Sequence, residues 1–286
     1  MKSVRQIIRD HCIRPTKKLG QCFLADFSVV KKIVEIAGIK DDETVVEIGS
    51  GLGLMTALLA DRAAHVQAVE IDGKIVPILK EQLKDYNNVD VIQEDILKYE
   101  FKSAAGENLS KVKIVGNIPY NISSPILFHI LENREKISIA ILMMQKEVAD
   151  RLCAVPGTKA YGIPSILFGL YARVVRELTV APGCFYPEPE VTSTVVKILF
   201  PEEPLCHVED HILFSRLVRA AFAQRRKTLF NNLKSVQWLD LDSRVIQNLL
   251  RDLGISEKVR AEELSIQQLA SICNVFSNMR KSKEYS

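Results

Sequence analysis

A short stretch near the middle of the chain combines groups suited to holding a flat, hydrogen-bonding ring. Asn117 supplies a side-chain acceptor, Pro119 makes the turn rigid, and Tyr120 offers an aromatic face on which a base can stack. A turn with Asn and Pro at the end of a strand can also be plain structure. The neighbouring motifs decide between these interpretations.

Three alternating glycines, Gly49, Gly51 and Gly53, follow an apolar run at residues 44–48. Without Cβ atoms the loop lets a ligand lie close to the backbone, and the helix predicted from Leu54 directs its free N–H groups toward the same space. The loop predicts a cradle for a nucleotide-type cofactor, although such a turn can also simply join a strand to a helix. A dinucleotide fingerprint is not met, because its sixth position would need glycine where this chain has Leu54.

Two acidic residues follow the next two predicted strands. Glu70 lies at the end of residues 65–71, where a carboxylate can accept two hydrogen bonds from ribose hydroxyls. Asp95 follows residues 89–93 and either accepts a hydrogen bond from an adenine amino group or is an ordinary turn acid.

Strand and helix patterns alternate from Thr44 onward. Apolar runs predict strands at 44–48, 65–71, 89–93, 112–117, 138–144, 172–181 and 192–200. Helical stripes predict helices at 26–38, 54–63, 73–84, 124–133 and 145–153. This alternation predicts an α/β fold with a mostly parallel sheet covered by helices on both faces and ligands at the carboxyl ends of the strands.

The pattern becomes purely helical beyond a linker at 201–204, with helices predicted at 210–222, 224–233, 243–253 and 265–276. We therefore predict two domains, residues 1–203 with the sheet and residues 204–286 as a small helical domain. A two-proline segment from Phe185 to Val191 is predicted to be a loop that holds Phe185 or Tyr186 in place.

The net charge is only +3, but residues 1–20 hold six Lys or Arg against one acid, and residues 205–286 hold thirteen against nine. Basic ends on an acidic body suit a polyanion, or are a solvated surface. Six scattered cysteines without a Cys-x-x-Cys pair predict neither disulfides nor a metal site. No apolar run is long enough for a membrane span or a signal peptide, so a cytoplasmic location is expected.

Together these stretches resemble the ribosomal RNA adenine dimethyltransferases, the KsgA and Erm family. The resemblance runs over residues 20–24, 47–53, 70, 95, 117–120, 185–191 and 222–228, and Gln-Arg-Arg-Lys-Thr at 224–228 points to the KsgA branch. It implies a class I methyltransferase fold with a seven-stranded sheet, S-adenosylmethionine as cosubstrate and no metal. The implied reaction is dimethylation at N6 of two adjacent adenosines in the 3′-terminal hairpin of small-subunit (16S) ribosomal RNA. The implied protein is a monomer that acts on the 30S subunit or its precursor during subunit biogenesis.

The resemblance also implies a role for each site residue. The cofactor pocket would be lined by Cys22, Leu24, Gly49, Glu70, Asp95 and Asn117, with Gly49 beside the methionine portion, Glu70 on the ribose and Asp95 on the adenine. The family normally has Asn where this chain has Cys22, so only a backbone contact is expected there. In the target site, the Asn117 side-chain oxygen and the Ile118 carbonyl would accept the N6 hydrogens, Pro119 would stiffen the turn, and Tyr120 and Phe185 would stack on the two faces of the base.

Two other functions are compatible with parts of this pattern. An Erm-type enzyme would modify large-subunit RNA and confer antibiotic resistance, but Erm chains usually have a shorter C-terminal domain and lack the 224–228 stretch. A non-catalytic assembly or RNA-binding factor would be expected to have lost Asn117, Pro119, Tyr120 or the glycines, all of which are present.

Overall fold

The computed structural model describes residues 3–16, 19–101, 111–239 and 241–284, so Lys17 and Lys18 of the basic N-terminal segment lie outside the described residues. The described chain divides into two compact units. One contains the described residues up to Ala149 and Arg173–Glu202, and the other contains Asp150–Ala172 and the described residues from Glu203 onward. A single boundary at 203/204 assigns residues 150–172 to the sheet domain, whereas in this division they group with the C-terminal helices.

The first unit is built on nine strands. In chain order they are β1 (Phe23–Leu24), β2 (Thr44–Ile48), β3 (His65–Glu70), β4 (Val89–Gln93), β5 (Val112–Asn117), β6 (Ile137–Gln145), β7 (Arg173–Val180), β8 (Phe185–Tyr186) and β9 (Ser193–Leu199). Seven of them form one sheet in the order β4-β3-β2-β5-β6-β9-β7, and β1 pairs with β8 in a separate antiparallel ribbon.

The sheet is parallel from β4 to β6, and β9 runs antiparallel to both β6 and β7. The mostly parallel α/β fold predicted from the sequence is confirmed. All five residues of β2 are buried, as expected for a central parallel strand covered on both faces. The reversal at β9 matters for the site, because the first residue of β9 lies at the edge of the sheet where the parallel strands end.

Six helices alternate with these strands along the chain. They are α1 (Val4–Asp10), α2 (Phe27–Ala37), α3 (Leu54–Ala60), α4 (Val76–Gln82), α5 (Ser123–Glu132) and α6 (Lys146–Leu152), the last of which ends in the second unit. The Asp26 carboxylate caps α2 by accepting from two backbone N–H groups, and Gly38 ends it in a left-handed conformation. Helix α1 is part of the folded unit, because its residues Val4, Ile7 and Ile8 pack in an apolar cluster.

The second unit is helical. It contains α7 (Ile163–Tyr171), α8 (His211–Ala221), α9 (Leu229–Lys234), α10 (Ser243–Asp252) and α11 (Ile266–Glu284). The sequence analysis did not predict α7, because that segment is apolar on all sides and contains Pro164 and Gly169, so it lacks the one-sided stripe of a surface helix. No helix among the described residues of either unit has the length and apolar character needed to cross a bilayer.

Candidate active site

The glycine loop after β2 contributes to a cleft in the first unit. Gly49, Gly51 and Gly53 have φ angles of 69°, 54° and 82°, a region that glycine occupies without strain. A Cβ atom on Gly51 would lie 3.2 Å from the Phe23 ring, which lines the same cleft. Side chains at these positions would strain the backbone and, at Gly51, crowd the cleft, so the loop has the form expected of a cofactor cradle.

The Glu70 carboxylate accepts hydrogen bonds from two backbone N–H groups, one in the glycine loop and one just after β3. Its Oε2 accepts from the Gly51 N–H at 2.9 Å, and its Oε1 accepts from the Asp72 N–H at 2.9 Å. Burial raises the pKa of this carboxyl, while the two N–H donors favour its charged form. Each carboxylate oxygen can accept a further hydrogen bond, so Glu70 can hold the glycine loop and still receive a hydroxyl.

Glu47, the acid that begins the Glu-x-Gly-x-Gly-x-Gly stretch, lies beneath this loop. Only 1% of the residue is exposed, and its carboxyl accepts a hydrogen bond from the Thr56 hydroxyl on α3 at 2.5 Å. Burial raises its pKa to about 8, so the carboxyl is mostly neutral at pH 7. Glu47 thus joins the end of β2 to α3 and lines the cleft as a neutral group.

Asp95 is a turn acid that also lines the cleft, so its predicted contact to an adenine amino group stays a prediction. Its Oδ1 accepts from the Leu97 N–H at 3.0 Å, which is the hydrogen bond of a turn acid. The residue also lines the cleft together with Glu94 and Ile96. Its position at the end of β4 places it beyond Glu70 along the carboxyl edge of the sheet.

Asn117 ends β5, and its side-chain amide is oriented by Cys22. The amide nitrogen Nδ2 donates to the Cys22 carbonyl oxygen at 2.9 Å, which leaves Oδ1 as the group that can accept from a ligand. Both residues line the cleft. Cys22 therefore acts through its backbone, and burial raises the pKa of its thiol, so the side chain stays neutral.

The two residues after Asn117, Ile118 and Pro119, also line the cleft. The Ile118 N–H donates to the Met143 carbonyl of β6 at 3.1 Å, which fixes the peptide that follows Asn117. Pro119 follows it, and the Ser123 hydroxyl donates to the Pro119 carbonyl at 3.0 Å. This turn is rigid because it is tied to both β6 and α5.

Tyr120 completes the wall with a partly buried aromatic ring. Its phenol oxygen lies 2.5 Å from Oγ of Ser193, the first residue of β9. Burial raises the pKa of the phenol, so it remains protonated at neutral pH. The sequence analysis missed Ser193, because nothing in the pattern of β9 indicates which strand end its hydroxyl approaches.

Phe185 departs from the expected arrangement. Its ring is 1% exposed and packs in the core with residues of α2 and β1, and it does not belong to the described residues that line the cleft. The neighbouring Tyr186 is instead 38% exposed. The expectation that Phe185 offers a free stacking face is not met in this conformation, because consecutive strand residues point to opposite sides and Phe185 has the inner side.

Nine of the ten predicted site residues line one cleft, which encloses about 1040 Å³ with its open mouth included. They are Cys22, Leu24, Gly49, Glu70, Asp95, Asn117, Ile118, Pro119 and Tyr120. The sequence analysis did not single out Val4 of α1, Leu52 of the glycine loop or Glu94, whose positions became evident only with the fold.

The lining fits a cationic nucleoside such as S-adenosylmethionine. Of the described residues that line the cleft, none is Lys, Arg or His and four are acids, of which Glu47 is mostly neutral at pH 7. An acidic cleft attracts a sulfonium cation, Glu70 offers acceptors to hydroxyls, and the glycine loop accepts a ligand against its backbone. Among the described residues, no group of three or more His, Cys, Asp or Glu is placed to hold a metal ion.

Comparisons with known proteins agree with this geometry. A profile of the family described as "Ribosomal RNA adenine dimethylase" matches residues 14–278. The chain is 72% identical over 278 residues to "Ribosomal RNA small subunit methyltransferase A" of Syntrophus aciditrophicus (strain SB), covering 97% of this chain and 99% of that protein.

Solved structures extend the similarity to the fold. A dimethyladenosine transferase from Plasmodium falciparum superposes with a TM-score of 0.79 at 27% identity over 90% of this chain and 98% of that one. The 23S rRNA methyltransferase ErmE gives 0.67 at 26% identity over 90% and 99%. With the profile match and the close relative, these similarities show that the chain belongs to the ribosomal RNA adenine dimethylase family, whose members are S-adenosylmethionine-dependent methyltransferases.

Proposed function

We propose that the chain dimethylates N6 of two adjacent adenosines in the 3′-terminal hairpin of small-subunit (16S) ribosomal RNA, with S-adenosylmethionine as methyl donor. The observation that carries this proposal is the orientation of Asn117. Because its Nδ2 is bound to the Cys22 carbonyl at 2.9 Å, its Oδ1 is the group left for an amino donor on the ligand. The name of the 72% identical relative, which refers to the small ribosomal subunit, supports the choice of RNA.

The cleft residues divide into cofactor and substrate groups. Gly49 would lie beside the methionine portion of the cofactor, Glu70 would accept from its ribose and Asp95 from its adenine, with Leu24 packing nearby. When bound, the cofactor supplies an electrophilic methyl group on a cationic sulfur. The protein's part is to bind this cation among acids and to present the attacking amine in line with it.

The reaction needs orientation more than a base. The lone pair of an adenine amino group is delocalised into the ring, so the amine is a weak nucleophile. Hydrogen bonds from N6–H to Asn117 Oδ1 and to the Ile118 carbonyl would favour a pyramidal nitrogen and direct its lone pair toward the methyl group. The proton is lost to water after attack, since no basic side chain is required at that point.

The target base would be held by stacking once it leaves its helix. Tyr120 provides the stacking face in the present conformation, and Phe185 could take the other face only if its ring moved out of the core. Stacking on an aromatic side chain contributes about 1–3 kcal/mol per base, which offsets much of the cost of unstacking.

We further propose that the protein works as a cytoplasmic monomer on the 30S subunit or its precursor and has a role in subunit biogenesis. Phosphates would be contacted by exposed basic residues of the N-terminal segment and of the turn between α8 and α9, namely Arg5, Arg9, Arg226 and Lys227. Such contacts weaken as salt is added.

The test is transfer of labelled methyl groups to small subunits that lack the modification, with large-subunit RNA as the parallel substrate. Label recovered as N6,N6-dimethyladenosine from small-subunit RNA is expected. Label confined to large-subunit RNA would assign the Erm reaction instead. Subunit binding without label on either RNA would indicate a non-catalytic assembly factor.

A further inference from the structure

A hydrogen bond joins Tyr120, which follows β5, to the first residue of β9. The phenol oxygen of Tyr120 and Oγ of Ser193 are 2.5 Å apart, and Ser193 is fully buried. The two residues are separated by 73 positions in the sequence. Ser193 is thus a buried core residue that also binds a ring in the lining of the cleft.

The direction of β9 explains how Ser193 reaches the cleft. Strands β5 and β6 end at the carboxyl edge of the sheet, and β9 runs antiparallel to β6, so it begins at that edge. Ser193 pairs with Gln145, the last residue of β6. A parallel strand at this place would have brought its first residue to the opposite edge, away from Tyr120.

Tyr120 is held at both of its ends. The Ser123 hydroxyl donates to the backbone carbonyls of Pro119 and Tyr120, at 3.0 and 3.3 Å. Ser193 binds the phenol at the other end of the side chain. With the backbone and the ring tip both held, the position of the ring relative to Asn117 is restrained.

We propose that Ser193 is a positioning residue that holds the Tyr120 ring in its place beside the cleft, and that this matters most for the second of two methyl transfers to one adenine. The inference rests on the proposed function, since it assumes that Tyr120 stacks on an adenine whose N6 is methylated twice. It adds a residue, and a step of the reaction, to that function.

The chemistry of N6 distinguishes the two transfers. In the first, N6 carries two hydrogens, one for Asn117 Oδ1 and one for the Ile118 carbonyl. The N6 lone pair forms the new N–C bond, the electron pair of the broken S–C bond stays on sulfur, and one N6 proton leaves to water. N6 then carries one hydrogen and one methyl group, so one of the two hydrogen bonds is gone.

The second transfer therefore depends more on stacking. With a single N6–H, the base can rotate about the remaining hydrogen bond unless the ring beneath it is fixed. A loosened Tyr120 ring should slow the second transfer more than the first. The expected sign of this is an accumulation of N6-monomethyladenosine.

The experiment compares the Ser193→Ala, Tyr120→Phe and doubly substituted variants in the full-length protein, with wild type alongside. Nucleosides from the modified RNA are quantified by mass spectrometry early in the reaction, as the ratio of monomethyl to dimethyl product. Each single variant should raise this ratio about five- to tenfold, the effect of losing one hydrogen bond, and the double variant should raise it no further.

Thr194→Val is the matched control, since it removes one buried hydroxyl from the next residue of β9, and its ratio should equal that of wild type. Circular dichroism identifies variants that fail to fold, and Tyr120→Phe provides the test if Ser193→Ala does not fold. An unchanged ratio in folded Tyr120→Phe, or additive effects in the double variant, would overturn the inference.

The assay of the wild-type protein distinguishes failure of this inference from failure of the proposed function. The ratio is measured on whichever ribosomal RNA accepts label from the wild-type protein, so a wrong target leaves the inference testable. A wild-type protein that labels neither RNA overturns both.

Discussion

At the scale of single residues, the side chain with the most specific assignment is Asn117. Its Nδ2 donates to the Cys22 carbonyl, which fixes the amide so that Oδ1 is the acceptor available to a ligand. We expect Asn117→Ala to lower methyl transfer at least about a hundredfold, because positioned polar groups contribute that much to rate. Binding of RNA, measured by filter retention, should stay near that of wild type, because the basic residues proposed to contact phosphates lie elsewhere.

Asn117→Asp sharpens this test. Aspartate keeps an acceptor but cannot donate to the Cys22 carbonyl, so it should also be impaired although its size is unchanged. Near-normal turnover in either variant would contradict the role assigned to the amide.

Cys22 is expected to tolerate substitution, although it lines the cleft. Its carbonyl makes the contact to Asn117, and this contact does not depend on the side chain. We expect Cys22→Ala to change the Kd for S-adenosylmethionine, measured by calorimetry, by less than about threefold, within the usual range of a mild substitution. Glu70→Gln, which weakens a clamp on the glycine loop, is the positive control, and a large loss in Cys22→Ala would show that the thiol itself binds the cofactor.

At the scale of elements, the junction of β2 and α3 contains a buried acid whose charge opposes folding. The pKa of Glu47 is raised from 4.5 to about 8, so between these values the folded state binds more protons than the unfolded state. Stability should therefore fall as the pH rises through this window, and the loss should be complete above it.

Glu47→Gln removes that dependence, since the amide cannot ionise. The melting temperature of the variant relative to wild type should increase by several degrees from about pH 5 to about pH 9. Glu81→Gln, an exposed substitution on α4, should show no such trend in the same thermal scans. A pH-independent difference for Glu47→Gln would mean that this carboxyl does not titrate in the window.

The elements that could be predicted from the sequence are those with strong periodicity. Strands β2, β3 and β5 are largely buried parallel strands and β4 is a partly exposed edge strand, and the bounds predicted for all four are close to those observed. The ribbon of β1 and β8 could not be predicted, because two residues per strand leave no pattern. The shortness of β8 also explains why the burial of Phe185 was not predicted. A shift of one residue along this strand decides whether Phe185 or Tyr186 is buried.

At the scale of the whole molecule, the carboxyl edge of the sheet brings the predicted site residues together. The sequence showed which side chains these are, but not which residues they contact. The order of β4, β3, β2 and β5 placed Asp95, Glu70, the glycines and Asn117 along one edge, as the rule for parallel sheets predicts. Ser193 could not be predicted, because its place depends on the direction of β9.

The basic turn between α8 and α9 leads to a prediction for the second unit. Asn232 is buried and donates to the Ala221 and Gln224 carbonyls, which shapes the turn, and Arg225 is bound to Glu262 at 2.6 Å. Arg226 and Lys227 are exposed. We expect the double variant Arg226→Gln/Lys227→Gln to bind ribosomal RNA more weakly and with a shallower salt dependence, by about one unit of slope per lost phosphate contact.

Binding isotherms at several salt concentrations measure this slope. The matched control is Lys31→Gln/Lys32→Gln, which removes two adjacent exposed charges from α2. Equal slopes for the two double variants would show that the turn contributes only net charge.

The position of Ser193 in the chain also has a consequence for biosynthesis. Every described residue that lines the cleft lies between Val4 and Ile122, whereas the partner of the Tyr120 phenol comes 73 residues after that tyrosine. During translation, the ribosome therefore makes all of these cleft-lining residues well before it makes the strand whose first residue binds the Tyr120 phenol. Ser193 can therefore hold the Tyr120 ring only after the whole lining of the cleft has been synthesised.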